Sequence, residues 1–337
     1  MVKSLAEYRR IMNQYQSPDG PLKNQPSSFY DLDPNLILAS VEKNGFVPTG
    51  ELQQLNSYEN RVFEIKLENH PPLIAKYYRP QRWSEKTILD EHQFIQELQQ
   101  DGIETAEPFL LKNNSTLDTV DGIHYAFFRK VQGRLLQELT PNHLRRLGRW
   151  LGRLHNIGAT RPAQHRATMG PSADHKWQQL DRMLNEVSPE VLYRYEQASV
   201  QIFEQLDELL PQFDFIRLHG DLHRGNILEK SNSDFVVVDF DDMINGPAIQ
   251  DFWMLLPNAD LQNSDELDFL IEGYSELREF PTEQLELIPL LRGYRIITYA
   301  LWIMNRWSDP SFPRLFPNYG TYSYWAEETE SLEKILL

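Results

Sequence analysis

Alternating apolar and polar positions predict an antiparallel sheet in the first third of the chain. In "RVFEIKLE" the apolar residues Phe63, Ile65 and Leu67 alternate with charged ones, which is the period of a half-buried strand. The turn "NHPP" separates this segment from a second apolar run, "LIAKYY", and a further strand is expected before Asn56. Strands joined by such short connections pair as a meander.

A helix follows the sheet in "SEKTILDEHQFIQELQQDG", with Ser84 as its N-cap and Gly102 just past its end. Apolar residues recur on one face of this helix, beginning at Ile88. Glu91 falls inside that apolar stripe. Because an unpaired buried carboxylate costs roughly several kcal/mol, Glu91 should have a cationic partner.

The remaining pattern predicts an α+β fold with two lobes. After one more strand, "IHYAFFRKV", the periodicity becomes helical from about Leu135 and stays mostly helical to the C-terminus. Residues 1–33 are polar and rich in Pro, Asn and Ser, which indicates an extension. The predicted boundaries are therefore an extension at 1–33, a small β-sheet lobe with one helix at 34–131, and a larger helical lobe at 132–337.

Composition narrows the possible partners. The 337 residues include 33 Lys and Arg against 49 Asp and Glu, a formal charge of −16 that disfavours nucleic acid and anionic membranes. There is no cysteine, which excludes disulfides, thiolate metal sites and a cysteine nucleophile. The N-terminus lacks the apolar core of a signal peptide, and the longest apolar run, "IITYALWIM", is too short to span a bilayer. We expect a cytoplasmic, monomeric protein.

The stretch "RLHGDLHRGNIL", followed by "FVVVDFDD", has the residue types and spacing of a kinase catalytic loop and metal-binding loop. Phosphoryl transfer needs a carboxylate that orients the attacking hydroxyl and accepts its proton, a role we assign to Asp221. It also needs hard oxygen ligands for Mg²⁺, which we assign to Asn226 and Asp239. Asp239 thus counts as both a catalytic residue and a metal ligand.

The other half of a kinase site is found upstream. Lys76 lies on the predicted strand "LIAKYY", and Glu91 follows fifteen residues later on the helix. Lys76 is the cation that Glu91 requires, and the pair would place the α- and β-phosphates of ATP. Taken singly, Lys76 fits an exposed strand lysine and Glu91 a solvated helix residue. With Asp221, Asn226 and Asp239 in kinase order, the five together favour a kinase.

The motif "HGDLHRGN" with "VDFDD" and "GPAIQDFWML" resembles the aminoglycoside phosphotransferase and choline kinase superfamily, which has a bilobal protein-kinase-like fold. "LNSYENRVFEI", "AKYYRPQRWS" and "RWSDPSFPRLFP" are similar to the narrower stress response kinase A family. That resemblance implies an ATP- and Mg²⁺-dependent serine/threonine protein kinase that acts in stress survival and phosphorylates itself. It also implies that Ser57, in the loop "NSYEN", contacts ATP.

Three departures from protein kinases leave alternatives open. The loop has no G-x-G-x-x-G, and His223 stands where serine/threonine kinases carry a lysine beside the γ-phosphate. Only twelve positions separate Asp239 from Asp251, so the activation segment that holds a peptide is missing. A small-molecule hydroxyl is therefore an alternative acceptor to a protein serine or threonine. A kinase-like binding protein without activity is a third hypothesis, but no catalytic group is missing. Asp251 is expected to brace the catalytic loop.

Overall fold

The computed structural model describes residues 29, 32–136, 138–230, 235–256 and 264–337. The N-terminal lobe contains a five-stranded antiparallel sheet with the order β1-β2-β3-β5-β4. Its elements are α1 (Pro34–Lys43), β1 (Pro48–Leu55), β2 (Arg61–Leu67), β3 (Leu73–Tyr77), α2 (Glu85–Gln100), β4 (Asp118–Val120) and β5 (Ile123–Arg129). The predicted meander is confirmed, and β4 is a short additional strand at its edge.

Helix α2 begins and ends where its sequence predicts. The Ser84 hydroxyl accepts a hydrogen bond from the Thr87 amide at 3.2 Å, which satisfies one of the free N–H groups of the first turn. After Gln100 the chain passes through Gly102, whose φ of +74° suits glycine and ends the helix. This helix presents Glu91 towards the sheet.

The C-terminal lobe is mainly helical. Its elements are β6 (Arg134–Leu135), α3 (Pro141–Gly158), α4 (Lys176–Met183), α5 (Leu192–Leu209), β7 (Ile216–Leu218), β8 (Ile227–Glu229), β9 (Phe235–Val237), β10 (Ile244–Gly246), α6 (Ile249–Leu255), α7 (Asp265–Ser275), α8 (Leu287–Arg306), α9 (Phe312–Leu315) and α10 (Tyr322–Leu336). Two small sheets, β6-β8-β9 and β10-β7, interrupt the helices. These sheets hold the two motif loops, one with Asp221 and Asn226 and the other with Asp239. The two-lobed fold predicted from the sequence is confirmed.

Two apolar clusters form the cores of the lobes. One lies beneath the N-terminal sheet, and the larger one joins α2 to the helices of the C-terminal lobe. Phe29 and Leu32, which the sequence assigns to the extension, are buried in the first cluster. The rest of the predicted extension, residues 1–28 together with 30 and 31, lies outside the described residues.

The apolar run "IITYALWIM" forms part of α8, as expected for a buried helix. Ile297, Leu301 and Ile303 face the core, whereas Tyr299 is 40% exposed. By length and composition the described segment Thr282–Arg306 could also cross a membrane, but more than half of its apolar window is buried inside the fold. The buried face therefore accounts for its apolar character.

Candidate active site

A cavity of about 310 Å³ lies between the two lobes. Its walls are largely apolar, as suits a flat aromatic ring. The apolar lining includes Val62, Ile74, Phe128, Leu228 and Val238. Four residues singled out in the sequence, Ser57, Lys76, Glu91 and Asp239, line the same cavity. The fold therefore brings together residues that are up to 182 positions apart.

The Lys76 ammonium group is buried among acids. Its Nζ lies 3.3 Å from Glu91 Oε1, 3.0 Å from Asp241 Oδ1 and 3.6 Å from Asp239 Oδ1. Burial by itself would lower the pKa of Lys76, but the charges of Asp241 and Glu91 raise it well above its usual value. Lys76 is therefore charged and faces the loop that contains Asp239 and Asp241, and the predicted cationic partner of Glu91 is confirmed.

Two arginines complete this buried cluster, and neither is predicted from the sequence. Arg166 donates to Glu91 Oε2 at 3.2 Å and to the backbone carbonyl of Asp241 at 2.5 Å. Arg82 bonds the Asp241 carboxylate. Burial alone would raise the pKa of Asp241, but Arg82, Lys76 and Arg166 hold it far below its usual range. The Asp241 carboxylate is thus fully engaged in ion pairs with buried cations.

The loop "NSYEN" connects β1 to β2 beside this cluster. Ser57 Oγ accepts a hydrogen bond from the Asn60 amide at 3.2 Å, which closes a tight turn. The Asn60 side chain donates to Asp241 Oδ2 at 3.2 Å and accepts from the Arg79 amide at 3.2 Å. Side chains of the loop itself therefore fix its position, without a glycine-rich sequence.

Asp251 braces the loop that contains Asp221. Its buried carboxylate accepts hydrogen bonds from the backbone amides of His219 and Gly220, both at 2.9 Å. His155 contacts the same carboxylate at 3.3 Å. Gly220 has a φ of +85°, and a Cβ there would lie 2.2 Å from the Asp242 carbonyl oxygen. Only glycine fits this position, so the two motif loops pack directly against each other.

Asp221 follows Gly220 and is not one of the described residues that line the cavity. Its Oδ1 lies 2.9 Å from Arg295 Nη2, and its Oδ2 lies 3.6 Å from His223 Nε2. His223 Nδ1 accepts a hydrogen bond from the Gly225 amide, so its Nε2 is the nitrogen left to face Asp221. Arg295 comes from α8, and no sequence spacing pointed to it. The side chains of Arg295 and His223 are each 44% exposed, so the surroundings of Asp221 open to solvent.

Asn226 and Asp239 lie at the base of the β8–β9 hairpin. The Val238 amide donates to the Asn226 carbonyl at 3.0 Å, which places Asp239 one residue beyond this contact. The Asn226 side-chain amide donates to the Asp221 carbonyl, which leaves its Oδ1 as an acceptor. The Asp239 side chain is 57% exposed, and its backbone is left-handed with a φ of +63°.

These two side chains fit a magnesium ion that is held jointly with phosphates. Mg²⁺ at kinase sites takes one or two protein oxygens and completes its shell with phosphate oxygens and water. Within the described part of the chain, no group of three or more His, Cys, Asp or Glu side chains is arranged to hold a metal. One carboxylate and one amide oxygen beside the cavity suit such a shared ion.

Comparison with known proteins supports the kinase interpretation. A family model described as "phosphotransferase enzyme family" matches residues 51–286. Stress response kinase A of Escherichia coli K12 is 35% identical over 323 residues, which covers 91% of this chain and 94% of that protein. The chain belongs to the phosphotransferase enzyme family, and within it to the stress response kinase A group. The predicted resemblance is therefore confirmed.

A second member of this group is the serine/threonine protein kinase RdoA of Salmonella typhimurium. It is 37% identical over 307 residues, which covers 90% of this chain and 92% of that protein. Among solved structures, an amicoumacin kinase in complex with AMP-PNP and Ca²⁺ superposes with a TM-score of 0.72. It shares 20% identity and covers 90% of this chain and 93% of that chain, so it supports the fold alone.

Proposed function

We propose that this protein is an ATP- and Mg²⁺-dependent serine/threonine protein kinase that acts in stress survival in the cytoplasm and also phosphorylates itself. The observation that supports it best is the placement of Lys76 and Asp239 in one cavity, in a chain that belongs to the stress response kinase A group. The Asp221 carbonyl accepts a hydrogen bond from the Asn226 side chain, and the Asn226 carbonyl accepts one from the Val238 amide, next to Asp239. We further propose that it acts as a monomer.

In this proposal the adenine ring lies in the apolar part of the cavity and the phosphates extend towards Lys76. Lys76 and the Ser57 loop orient the phosphates. Asn226 and Asp239 would hold the metal, which supplies charge neutralisation at the phosphate oxygens. Asp221 accepts the proton of the attacking hydroxyl, a contribution of roughly 10²–10⁴ in rate. His223, beside Asp221, takes the place of the usual lysine near the γ-phosphate.

An open acceptor side favours a protein substrate. Asp221 is flanked by two half-exposed side chains from different elements, which leaves room for a bulky acceptor. The chain after Asp239 reaches β10 within five residues, so no activation segment covers the base. A peptide would therefore approach the base directly across the surface near α8.

A small-molecule hydroxyl is the second candidate acceptor. One fold neighbour is, by its title, a kinase of amicoumacin. In the present chain Arg295 contacts the base, and a cation there disfavours acceptors that carry an amine next to the hydroxyl. This contact favours the protein substrate over an amino alcohol.

The deciding experiment is incubation of the full chain with γ-labelled ATP and Mg²⁺. Label on serine or threonine of the protein and of an added protein mixture supports the proposal. Label only on small alcohols, tested in parallel as choline and an amino alcohol, would assign the protein to the small-molecule kinases. Asp221→Asn serves as the inactive control, because its side chain keeps the size of the native one.

A further inference from the structure

Three stretches that the sequence singles out, "SYEN", "YRPQRW" and "RWSDP", meet in one buried charge cluster. Arg79 donates to Asp309 Oδ2 at 2.9 Å and to the backbone carbonyls of Tyr58 and Glu59 at 3.0 Å. The Glu59 carboxylate in turn accepts a hydrogen bond from Arg306 Nε at 2.9 Å. None of these residues is required by the phosphoryl-transfer chemistry itself.

The cluster joins the two lobes. Glu59 belongs to the loop between β1 and β2, and Arg79 follows the strand that carries Lys76. Arg306 ends α8 in the C-terminal lobe, and Asp309 lies three residues beyond it. The Trp302 indole, also on α8, donates to the Glu59 carboxylate. The loop beside the phosphate end of the cavity is therefore tied to the opposite lobe.

These charges are almost fully removed from water. The side chains of Arg79 and Asp309 are 1% and 2% exposed, and that of Glu59 is 12% exposed. Burial alone would raise the pKa of Glu59, but Arg82, Arg306 and Arg79 lower it below its usual value. Because water cannot readily replace the partners of a buried charge, separating the lobes here requires several ion pairs to break together.

The cluster also reaches the metal-binding loop. Arg82 lies 3.5 Å from Glu59 through its Nε and bonds the Asp241 and Asp242 carboxylates through its other nitrogens. One arginine thus connects the loop over the phosphates to the loop that carries Asp239. Movement of the first loop would disturb the second.

We propose that Glu59 is a positioning residue that holds the β1–β2 loop onto α8 and so controls nucleotide exchange. The inference rests on the proposed function, because it takes this loop to cover the phosphates of ATP. Kinases with a glycine-rich loop depend on a pliable backbone at this point. Here the ion pairs of Glu59 set the position of the loop, and release of ADP requires them to open.

The test is the rate at which a fluorescent ADP analogue dissociates from the full chain in Mg²⁺. For Glu59→Gln we expect dissociation at least about tenfold faster and a matching rise in KM for ATP, with kcat reduced much less. The matched control is Glu51→Gln, which removes an exposed ion pair to Lys66 on the same sheet and should leave both values unchanged.

Arg306→Lys provides a second variant that keeps the positive charge if Glu59→Gln does not fold. A lysine cannot make the two-pronged contact to Glu59, so dissociation should still be several-fold faster. Wild-type dissociation rates in folded variants would overturn the proposal. Failure of the wild-type chain to bind the analogue at all would instead overturn the proposed function, so the two failures are distinguishable.

Discussion

At the scale of single residues, the loop that contains Asp221 is held by contacts that do not involve the Asp221 carboxylate. Asp251 fixes the amides of His219 and Gly220, and the Asn226 side chain donates to the Asp221 carbonyl at 3.0 Å. The carboxylate is therefore free to be altered without loss of the loop conformation. This separation allows a clean test of its role.

Asp221→Asn should lower turnover by roughly 10²-fold or more, because an amide cannot accept the proton of the attacking hydroxyl. ATP affinity should stay within about threefold of wild type, since no contact of the nucleotide cavity is lost. Calorimetric titration with Mg-ATP and a labelled-phosphate assay measure the two quantities separately. Equal losses of affinity and turnover would contradict the assignment of Asp221 as base.

The Lys76 and Glu91 side chains should act as a coupled pair. Lys76→Ala is expected to raise KM for ATP, and Glu91→Ala to do so less, because Asp241 at 3.0 Å still holds Lys76. The double variant should lose less in kcat/KM than the sum of the single effects, with a coupling of about 0.5–3 kcal/mol. Strict additivity across the double-mutant cycle would show that the pair has no functional link.

Candidate site residues can be predicted from the sequence where the signal is local. The positions of Asp221, Asn226 and Asp239 were visible because nineteen residues contain all three. Lys76 and Glu91 were found by a physical requirement, a buried carboxylate in need of a cation. Arg166, Arg295 and Arg82 are not predicted, because each pairs with a carboxylate of the candidate site that lies at least 74 positions away, and no periodicity marks an arginine for such a contact.

At the scale of secondary-structure elements, strands with several alternations and capped helices were predictable, and very short strands were not. Helix α2 has both an N-cap serine and a terminal glycine in its sequence, so its bounds followed directly. Strands β6 to β10 have two or three residues each, too few to show a period of two. They exist because the motif loops between them are held by tertiary contacts.

Helix α2 also contains a histidine that should make stability depend on pH. His92 is buried, and its ring bonds Tyr78 at 2.9 Å and Thr116 at 2.7 Å. Burial lowers its pKa to about 3. Between pH 6.5 and 3 the unfolded chain therefore binds a proton that the folded chain does not. Stability is fully present above pH 6.5 and is lost as the pH falls, by up to about 1.4 kcal/mol per pH unit.

Chemical denaturation at pH 7, 6 and 5 measures this dependence. His92→Gln keeps a polar side chain that does not titrate, so the loss of stability on acidification should become smaller. His70→Gln is the matched control, because His70 is exposed and its substitution should leave the slope unchanged. An identical slope in wild type and His92→Gln would show that other groups cause the acid sensitivity.

At the scale of the whole molecule, the division into two lobes is predicted by the change from alternating to helical hydrophobic periodicity near Leu135. The contacts that join the lobes cannot be predicted in this way. The contacts of Glu59 with Arg306 and of Arg79 with Asp309 span more than 200 positions, and no spacing in the sequence marks these residues as partners. The formal charge of −16, by contrast, is a whole-molecule property that the sequence gives directly and that should affect ligand binding.

The net negative charge should slow the approach of an anionic nucleotide. The cations that line the cavity, Lys76, Arg129 and Lys130, are each paired with a carboxylate, so they leave little uncompensated positive field there. Added salt shortens the screening length from about 30 Å at 0.01 M to about 8 Å at 0.15 M and weakens the repulsion. The association rate constant of a fluorescent Mg-ADP analogue, measured by stopped flow, should therefore rise a few-fold over this range.

Fluorescently labelled adenosine, which carries no phosphate, is the matched ligand and should associate at a rate that salt does not change. A rate for the nucleotide that falls with salt would mean that the cleft is locally positive and draws ATP in against the charge of the rest of the molecule.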